Sequence, residues 1–413
     1  MVILYNLGIR VYLLLINIVS PFNSKARLWL YGRKKWYGRL KSVIDTNSET
    51  VWIHCSSLGE FEQGRPIIEA LKIRYPNLKI LLTFFSPSGY EVRKNYQGAD
   101  YVFYLPIDTA RNARKLIDLV NPKFVVFVKY EFWYHYLRHL KKKSIPTYIV
   151  SAIFRDDQVF FKPYGKWYRS FLRNFDHLFV QNQHSLELLN TIGITNVTIC
   201  GDTRFDRVAK VASEAQSIPF IEKFCAGERV IVAGSTWPRD EELLIEYYKN
   251  NSGKAKLIIA PHEIDAAHIQ SIQQTLPLKS ILYTQHNAEP DTDARVLIID
   301  TIGLLASVYR YGHIAYIGGG FGVGIHNTLE AATFGLPVIF GPNYHKFQEA
   351  KELITRKAAF SINSLDELSH FLNLLLTDEQ VRAIAGDNSK KFVLSGVGAT
   401  NRILEQITQN IQF

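Results

Sequence analysis

Short apolar runs, each followed by a helical pattern, recur along the chain and restrict it to one class of fold. In the first half they are Val51 to His54, Lys79 to Phe84, Tyr101 to Leu105, Phe124 to Val128, Thr147 to Val150 and His177 to Val180. In the second they are Val230 to Ala233, Lys256 to Ala260, Arg295 to Ile299, Ile314 to Ile317 and Gly335 to Gly341. Near-continuous apolar strands suit a parallel sheet covered on both faces, and alternation with helices builds such sheets. The pattern weakens between residues 206 and 227, which reads as a linker between two α/β domains. Two doubly wound, Rossmann-like sheets facing a cleft are therefore expected, with ligands beyond the carboxyl ends of the strands.

The last of these units carries the strongest ligand signal. Ile314 to Ile317 runs into Gly318, Gly319, Gly320, Phe321, Gly322, Val323 and Gly324, five glycines in seven residues, and a helix is predicted from Ile325 through Glu330. Glycines let backbone approach a ligand closely and leave amides unpaired, and a helix N-terminus favours a phosphate. Glu330 lies one turn beyond Asn327 on the same face, where a carboxylate can accept ribose hydroxyls. A tight turn with a helix cap explains the same glycines without a ligand, and the spacing is not that of a dinucleotide fingerprint.

Composition bounds the rest. A chain of 413 residues, 47% hydrophobic and 21% charged, has material for more than one core. The net charge of +10 suits an anionic partner: nucleic acid, a membrane surface or a phosphorylated substrate. Cys55, Cys200 and Cys225 are odd in number and lack metal-ligand spacing, so neither a disulfide framework nor a zinc site is indicated.

Residues 1–22 are almost wholly apolar, without the basic start or small-residue cleavage site of a secretory signal. Lys25, Arg27, Arg33, Lys34, Lys35, Arg39 and Lys41 follow without an intervening acid, interleaved with Trp29, Tyr31, Trp36 and Tyr37. An apolar helix followed by a basic, aromatic belt reads as a membrane anchor. A buried N-terminal helix, or a nucleic-acid surface, are the competing readings. Arg10 favours an interfacial helix over a span, since an arginine at mid-bilayer costs about 2.5 kcal/mol or more.

Two carboxylates stand just past strand ends, outside any charged run: Glu60 after Gly59, and Glu131 within Lys129 to Trp133. Either can serve as a general base for a hydroxyl nucleophile. Either also has a structural explanation, Glu60 as a helix-capping carboxylate and Glu131 as the ion-pair partner of a base such as Lys129.

In order and spacing, the blocks His54 to Glu60, Lys129 to Trp133, Gly201 to Asp206, Gly234 to Thr236, Asp300 to Gly303, Gly318 to Glu330 and Gly335 to Pro342 resemble the bacterial lipid A Kdo (3-deoxy-D-manno-octulosonic acid) transferases. The resemblance covers nearly the whole chain. It implies an inverting, metal-independent glycosyltransferase of the GT-B fold, with no cofactor, in the lipopolysaccharide pathway at the cytoplasmic face of the bacterial inner membrane. The implied layout is an anchor over residues 1–22, an acceptor domain over 23–205, a linker over 206–227, a CMP-sugar domain over 228–395 and a C-terminal helix over 396–413. The implied partners are CMP-Kdo, a lipid A precursor and the membrane surface, with no nucleic acid.

By position, Glu60 matches the family's general base, Glu131 its second required carboxylate and Arg204 the residue that supports the departing phosphate. Gly234, Ser235 and Thr236 match a phosphate-enclosing turn. Pro261, His262, Ile302, Gly303, Leu304, Asn327, Thr328, Leu329 and Glu330 match the CMP-contacting segments, and His326 reads as a structural residue at the helix start. The chain departs from the family at His262, where arginine is common, at Leu304 and Trp237, where glutamate and histidine are usual, and at Ile325, which interrupts a glycine pair. The resemblance implies direct displacement: Glu60 deprotonates the acceptor hydroxyl, which attacks the anomeric carbon as CMP leaves. A sugar-nucleotide 2-epimerase of the same architecture and a catalytically decayed membrane protein are the alternatives.

Overall fold

The computed structural model describes residues 1–251, 254–285, 291 and 293–409. Within them the chain forms two compact units, Met1–Arg207 joined by the segment from Gly398 onward, and Val208–Val397. The architecture is GT-B: each unit is built on one parallel sheet of seven strands. In the first, β1 (Thr50–Cys55), β2 (Lys79–Phe84), β3 (Tyr101–Tyr104), β4 (Val125–Val128), β5 (Thr147–Ala152), β6 (His177–Val180) and β7 (Val197–Ile199) lie in the order β3-β2-β1-β4-β5-β6-β7. In the second, β8 (Val230–Thr236), β9 (Lys256–Pro261), β10 (Ser280–Leu282), β11 (Val296–Ile298), β12 (Ile314–Ile317), β13 (Val338–Phe340) and β14 (Ala359–Ser361) lie in the order β10-β11-β9-β8-β12-β13-β14.

The period-two alternation of a strand explains how one sheet supports two cores. Trp52, Val125 and Phe127 pack into the cluster on one face of the first sheet, while Val51, Ile53, Cys55, Val126 and Val128 pack into the cluster on the other. The second unit has a core of the same kind, centred on Ile231, Ala233, Leu257, Ile259, Ile314 and Tyr316. The strands missing from the sequence reading are β7, β10 and β14, all at sheet edges. They are three residues long and mostly half-exposed, so they lack the apolar run that marks a central strand.

Residues 206–227, expected as a linker, are largely helical. The helix Thr203–Glu214 runs across the boundary between the units and a second helix, Pro219–Cys225, follows it. The C-terminal helix is Ala399–Thr408, against the expected 396–413, whose last four residues lie outside the described part. It returns to the first unit and puts Ile403, Leu404 and Ile407 into that unit's core. Its start is fixed by Asp206, whose carboxylate accepts from the Gly398 amide at 2.5 Å, the Thr400 amide at 2.7 Å and the Thr400 hydroxyl at 2.6 Å.

The helix Val2–Val19 is long and apolar enough to cross a membrane. One face is nevertheless docked on the first unit. Val2, Tyr5, Asn6, Ile9, Leu13 and Ile16, at spacings of three and four, are its partly covered positions. Tyr5 donates to Asp108 at 2.5 Å and Asn6 Oδ1 meets His135 Nε2 at 2.7 Å. The opposite face exposes Leu4, Leu7, Val11, Leu14, Leu15 and Ile18. Of the basic belt, Lys25, Arg27, Lys34, Lys35, Arg39 and Lys41 are exposed. Arg33 is the exception: it is buried, donates to the carbonyls of Trp29, Leu105 and Phe85 at 2.9, 2.8 and 2.7 Å, and stacks on the Trp29 ring. With its donors spent on these buried carbonyls, Arg33 is a packing cation and not part of a headgroup-binding belt, and the same burial pushes its guanidinium down to about 9.

Candidate functional site

Both sheets reverse their winding beside their first strand. In the first unit β1 has β2 on one side and β4 on the other; in the second, β8 lies between β9 and β12. Loops leaving the carboxyl ends of the paired strands diverge at such a point and leave room for a ligand. Glu60 follows β1 and Glu131 follows β4, so both carboxylates belong to the switch point of the first sheet. Gly234 to Thr236 end β8 and Gly318 to Gly324 follow β12, so the glycine-rich loop belongs to the switch point of the second. Lys129 and Ser235 take left-handed backbone at the ends of β4 and β8, with φ of 64° and 53°, and Ser151 does so in the neighbouring β5, with φ of 52°. Non-glycine residues hold that conformation at a cost, and such strain gathers at ligand sites.

Glu60 occupies the third position of the helix Leu58–Arg74 and reaches back to the Ser57 amide at 2.9 Å and the Ser57 hydroxyl. This is a capping box, in which the carboxylate satisfies an amide the helix cannot. Glu60 is half-buried and keeps a face toward solvent. Glu131 is buried, and the partner the structure shows for it is His54 Nε2, 3.0 Å from Oε2, with the Trp133 indole donating to the same oxygen at 2.6 Å. His54 was legible only as a strand end. Its signal was the presence of an imidazole inside an apolar central strand, since a buried polar group requires partners.

Arg204 is held by the buried Asp202, with Nε at 2.8 Å and the second guanidinium contact at 2.7 Å. Asp202 also accepts from Gln63 at 3.3 Å, and Thr203 donates to the Gln63 carbonyl at 2.6 Å. Gln63 lies one turn beyond Glu60, so the Glu60 helix anchors the Arg204 segment. Tyr130 senses the same group of charges: burial raises its hydroxyl, with Arg155 opposing, Glu60 adding and Arg204 opposing. The Cys55 thiol at the end of β1 is pushed up by burial, then by Glu60 and Glu131. Glu60, Arg204 and Tyr130 thus lie within electrostatic reach of one another on the carboxyl-end side of the first sheet, where Glu131 also follows β4.

In the second unit the glycine loop differs from expectation in two ways. The helix after it is the single turn Leu329–Ala332, and Ile325 to Thr328 form no helix. A four-residue helix carries little macrodipole, which removes the dipole argument for an anion. Many loop amides are also engaged internally. Gly318 donates to the Gly234 carbonyl at 2.9 Å, Gly319 to Asp240 at 2.8 Å, Gly324 to Gly319 at 3.0 Å and His326 to Gly318 at 3.2 Å. Chain packing explains several glycines. A Cβ on Gly318 would meet the Ser235 carbonyl at 2.2 Å, and one on Gly320 the Gly341 backbone at 2.5 Å.

The donor-contacting residues inferred from sequence divide by exposure. Gly234, Thr236, Pro261, Thr328 and Leu329 are buried, and the Thr236 hydroxyl donates to Glu241 at 2.9 Å. Ser235, His262, Ile302, Gly303, Leu304, Asn327 and Glu330 reach the surface, Ile302 with 86% of its area exposed. Asn327 donates to Glu330 at 3.0 Å and accepts from the Leu329 amide at 3.1 Å, so amide and carboxylate form one polar pair. His326 is not at a helix start. Its Nε2 accepts from the Trp237 indole at 3.1 Å, its ring lies 4.5 Å from that of His262, and His262 stacks on Trp237 at 4.7 Å. Burial, and then the charge of His262, hold the His326 imidazole down at about 4. Among the described residues no three His, Cys, Asp or Glu side chains are grouped as metal ligands.

Residues 32–207 match the family profile of 3-deoxy-D-manno-octulosonic-acid transferase (kdotransferase). The chain is 29% identical over 360 residues to the 3-deoxy-D-manno-octulosonic acid transferase of Aquifex aeolicus, across 84% of this chain and 93% of that one. It is 27% identical over 379 residues to the enzyme of the same name from Rickettsia bellii, across 88% of each. Among solved structures it resembles UDP-GlcNAc 2-epimerase from Neisseria meningitidis, with a TM-score of 0.61 at 15% identity over 87% of this chain and 100% of that one. At that identity the likeness concerns the fold.

Proposed function

From the premise that this chain is a glycosyltransferase related to the 3-deoxy-D-manno-octulosonic acid transferases, we propose that it moves Kdo from CMP-Kdo to a hydroxyl of a lipid A precursor. The observation that carries this reading is the position of Glu60 and Glu131 at the switch point of the first sheet, with Arg204 tied to the Glu60 helix through Asp202 and Gln63. Glu60 takes the proton from the acceptor hydroxyl as that oxygen attacks the anomeric carbon, and a single displacement inverts the centre. Its capping bond to Ser57 holds the carboxylate at the helix start without removing it from solvent. Negative charge grows on the phosphate of CMP as the bond breaks. Arg204, whose guanidinium is aligned by Asp202, stabilises that charge without a metal.

The second unit takes the nucleotide in this reading. The Asn327–Glu330 pair offers an amide and a carboxylate to ribose or base, and Ser235, His262, Ile302 and Gly303 supply the remaining exposed contacts. The acceptor is an amphiphile bearing phosphates. The apolar outer face of Val2–Val19 and the exposed lysines and arginines after it would hold the enzyme on the cytoplasmic face of the inner membrane, where that lipid lies.

The test is to incubate the full chain with CMP-Kdo and a lipid A precursor and follow lipid mass together with released CMP. The expected result is a lipid heavier by one or more Kdo units with matching CMP, lost by about a thousandfold or more in Glu60→Gln. No change in lipid mass, or full activity in Glu60→Gln, overturns the reading.

A further inference from the structure

Glu131 stands at the end of a hydrogen-bond chain that runs from Trp52 through Thr83 and His54. Trp52 and His54 are two residues apart in β1 and project to one face of the sheet, and His54 pairs with Thr83 across β1 and β2. The Trp52 indole donates to the Thr83 hydroxyl oxygen at 2.7 Å. An indole nitrogen can only donate, so the Thr83 oxygen accepts there and its own proton is available to His54 Nδ1, 2.9 Å away. When Thr83 donates in this way, the imidazole's hydrogen sits on Nε2, 3.0 Å from Glu131 Oε2, which also accepts from Trp133 at 2.6 Å. Along this path each donor meets an acceptor when His54 is neutral with its proton on Nε2 and Glu131 is ionised.

The opposite tautomer donates from Nδ1 to the Thr83 carbonyl at 3.1 Å. It turns the Nε2 lone pair on Glu131 Oε2 and requires a proton on the carboxyl. The two tautomers therefore assign opposite charge states to Glu131.

We propose that His54 is the positioning residue for Glu131: through the relay Trp52, Thr83, His54 it holds that carboxylate ionised and in one orientation. With Oε2 committed to His54 and Trp133, Oε1 is the oxygen able to meet a ligand. An ionised carboxylate in fixed orientation stabilises positive charge that grows on a sugar as its leaving group departs, and a carboxylic acid does not. The role of His54 rests on the reading of Glu131 as a required carboxylate of the transferase. The state of the pair does not.

Nitrogen NMR of the full chain labelled with ¹⁵N-histidine reads the tautomer directly, with the His54 signals identified by their loss in His54→Gln. The expected spectrum is a neutral ring protonated at Nε2, moving to the Nδ1–H form in Thr83→Val, which removes the hydroxyl but keeps the backbone carbonyl. An Nδ1–H or doubly protonated ring in the wild type, or an unmoved tautomer in Thr83→Val, overturns the relay. Kinetics with CMP-Kdo test the consequence. A glutamine amide can replace Nε2–H toward Glu131, whereas asparagine reaches only the Nδ1 position. His54→Gln should stay within about tenfold of wild-type kcat, and His54→Asn and His54→Phe should lose about 10- to 100-fold with the donor KM unchanged. Equal losses in the Gln and Asn variants at equal melting temperature overturn the positioning role. An inactive wild type would count against the transferase reading alone, and the tautomer spectrum would still decide the pair.

Discussion

At the residue scale, the same side chains serve folding and chemistry. Glu60 caps a helix and faces solvent, and Glu131 is buried in a polar pair. The capping role expected of Glu60 is a real contact, whereas the partner seen for Glu131 is His54 and not a base such as Lys129. Such pairings depend on strand neighbours: His54 meets Thr83 because β1 lies beside β2, a proximity that linear spacing does not encode. His326 offers a test by pH. Its folded imidazole titrates at about 4, from an ordinary value of 6.5, through burial and then the neighbouring His262. The unfolded chain therefore binds more protons between those values. The stabilisation is complete above pH 6.5 and is lost as pH falls toward 4. Because the ring is partly exposed, screening reduces the loss to on the order of 1 kcal/mol. Glutamine cannot titrate and can still accept from the Trp237 indole. Urea unfolding should thus weaken less between pH 7 and pH 4.5 in His326→Gln than in the wild type, and identical slopes would refute this assignment.

At the element scale, central strands were legible and edge strands were not. β1, β4, β8 and β12 are buried on both faces and read as apolar runs, whereas β7, β10 and β14 are short and half-exposed. The glycine loop was located correctly, but much of its glycine content answers to backbone packing. Gly320→Ala would place a methyl 2.5 Å from Gly341 and should destabilise the second unit by about 2 kcal/mol or more. Gly322→Ala enters open space and should change stability by less than about 0.5 kcal/mol. Chemical denaturation of the two variants compares packing with ligand contact, because a loss of donor affinity in Gly322→Ala at unchanged stability would mark Gly322 as a contact. The helix Val2–Val19 was legible as an apolar element but not as one docked along a single face. Leu14 and Ile18 lie on its outer face, 60% and 59% exposed. Burying a leucine or isoleucine is worth about 1.5–3 kcal/mol. Leu14→Ser with Ile18→Ser should therefore lower binding to anionic vesicles by at least tenfold in a sedimentation assay while melting is unchanged. Unaltered binding would assign membrane attachment elsewhere.

At the scale of the whole molecule, the chain is two units of one kind with different equipment. The first holds the two carboxylates Glu60 and Glu131, Arg204 and the docked apolar helix; the second holds the glycine loop, the Asn327–Glu330 pair and the Trp237, His262, His326 stack. The proposed transfer assigns acceptor activation to one and nucleotide recognition to the other, and this division has a kinetic signature. A contact made equally in ground and transition states alters KM, whereas one that strengthens only during reaction alters kcat. Glu330→Gln keeps an oxygen beside Asn327 but removes the charge, so it should raise the donor KM by about tenfold, the value of one charge-assisted hydrogen bond, with kcat nearly intact. Glu60→Gln should do the reverse. Initial rates against CMP-Kdo at saturating acceptor separate these patterns. A fall in kcat with unchanged KM in Glu330→Gln would mean that the second unit takes part in the chemical step, and the assignment of nucleotide binding to it alone would have to be abandoned.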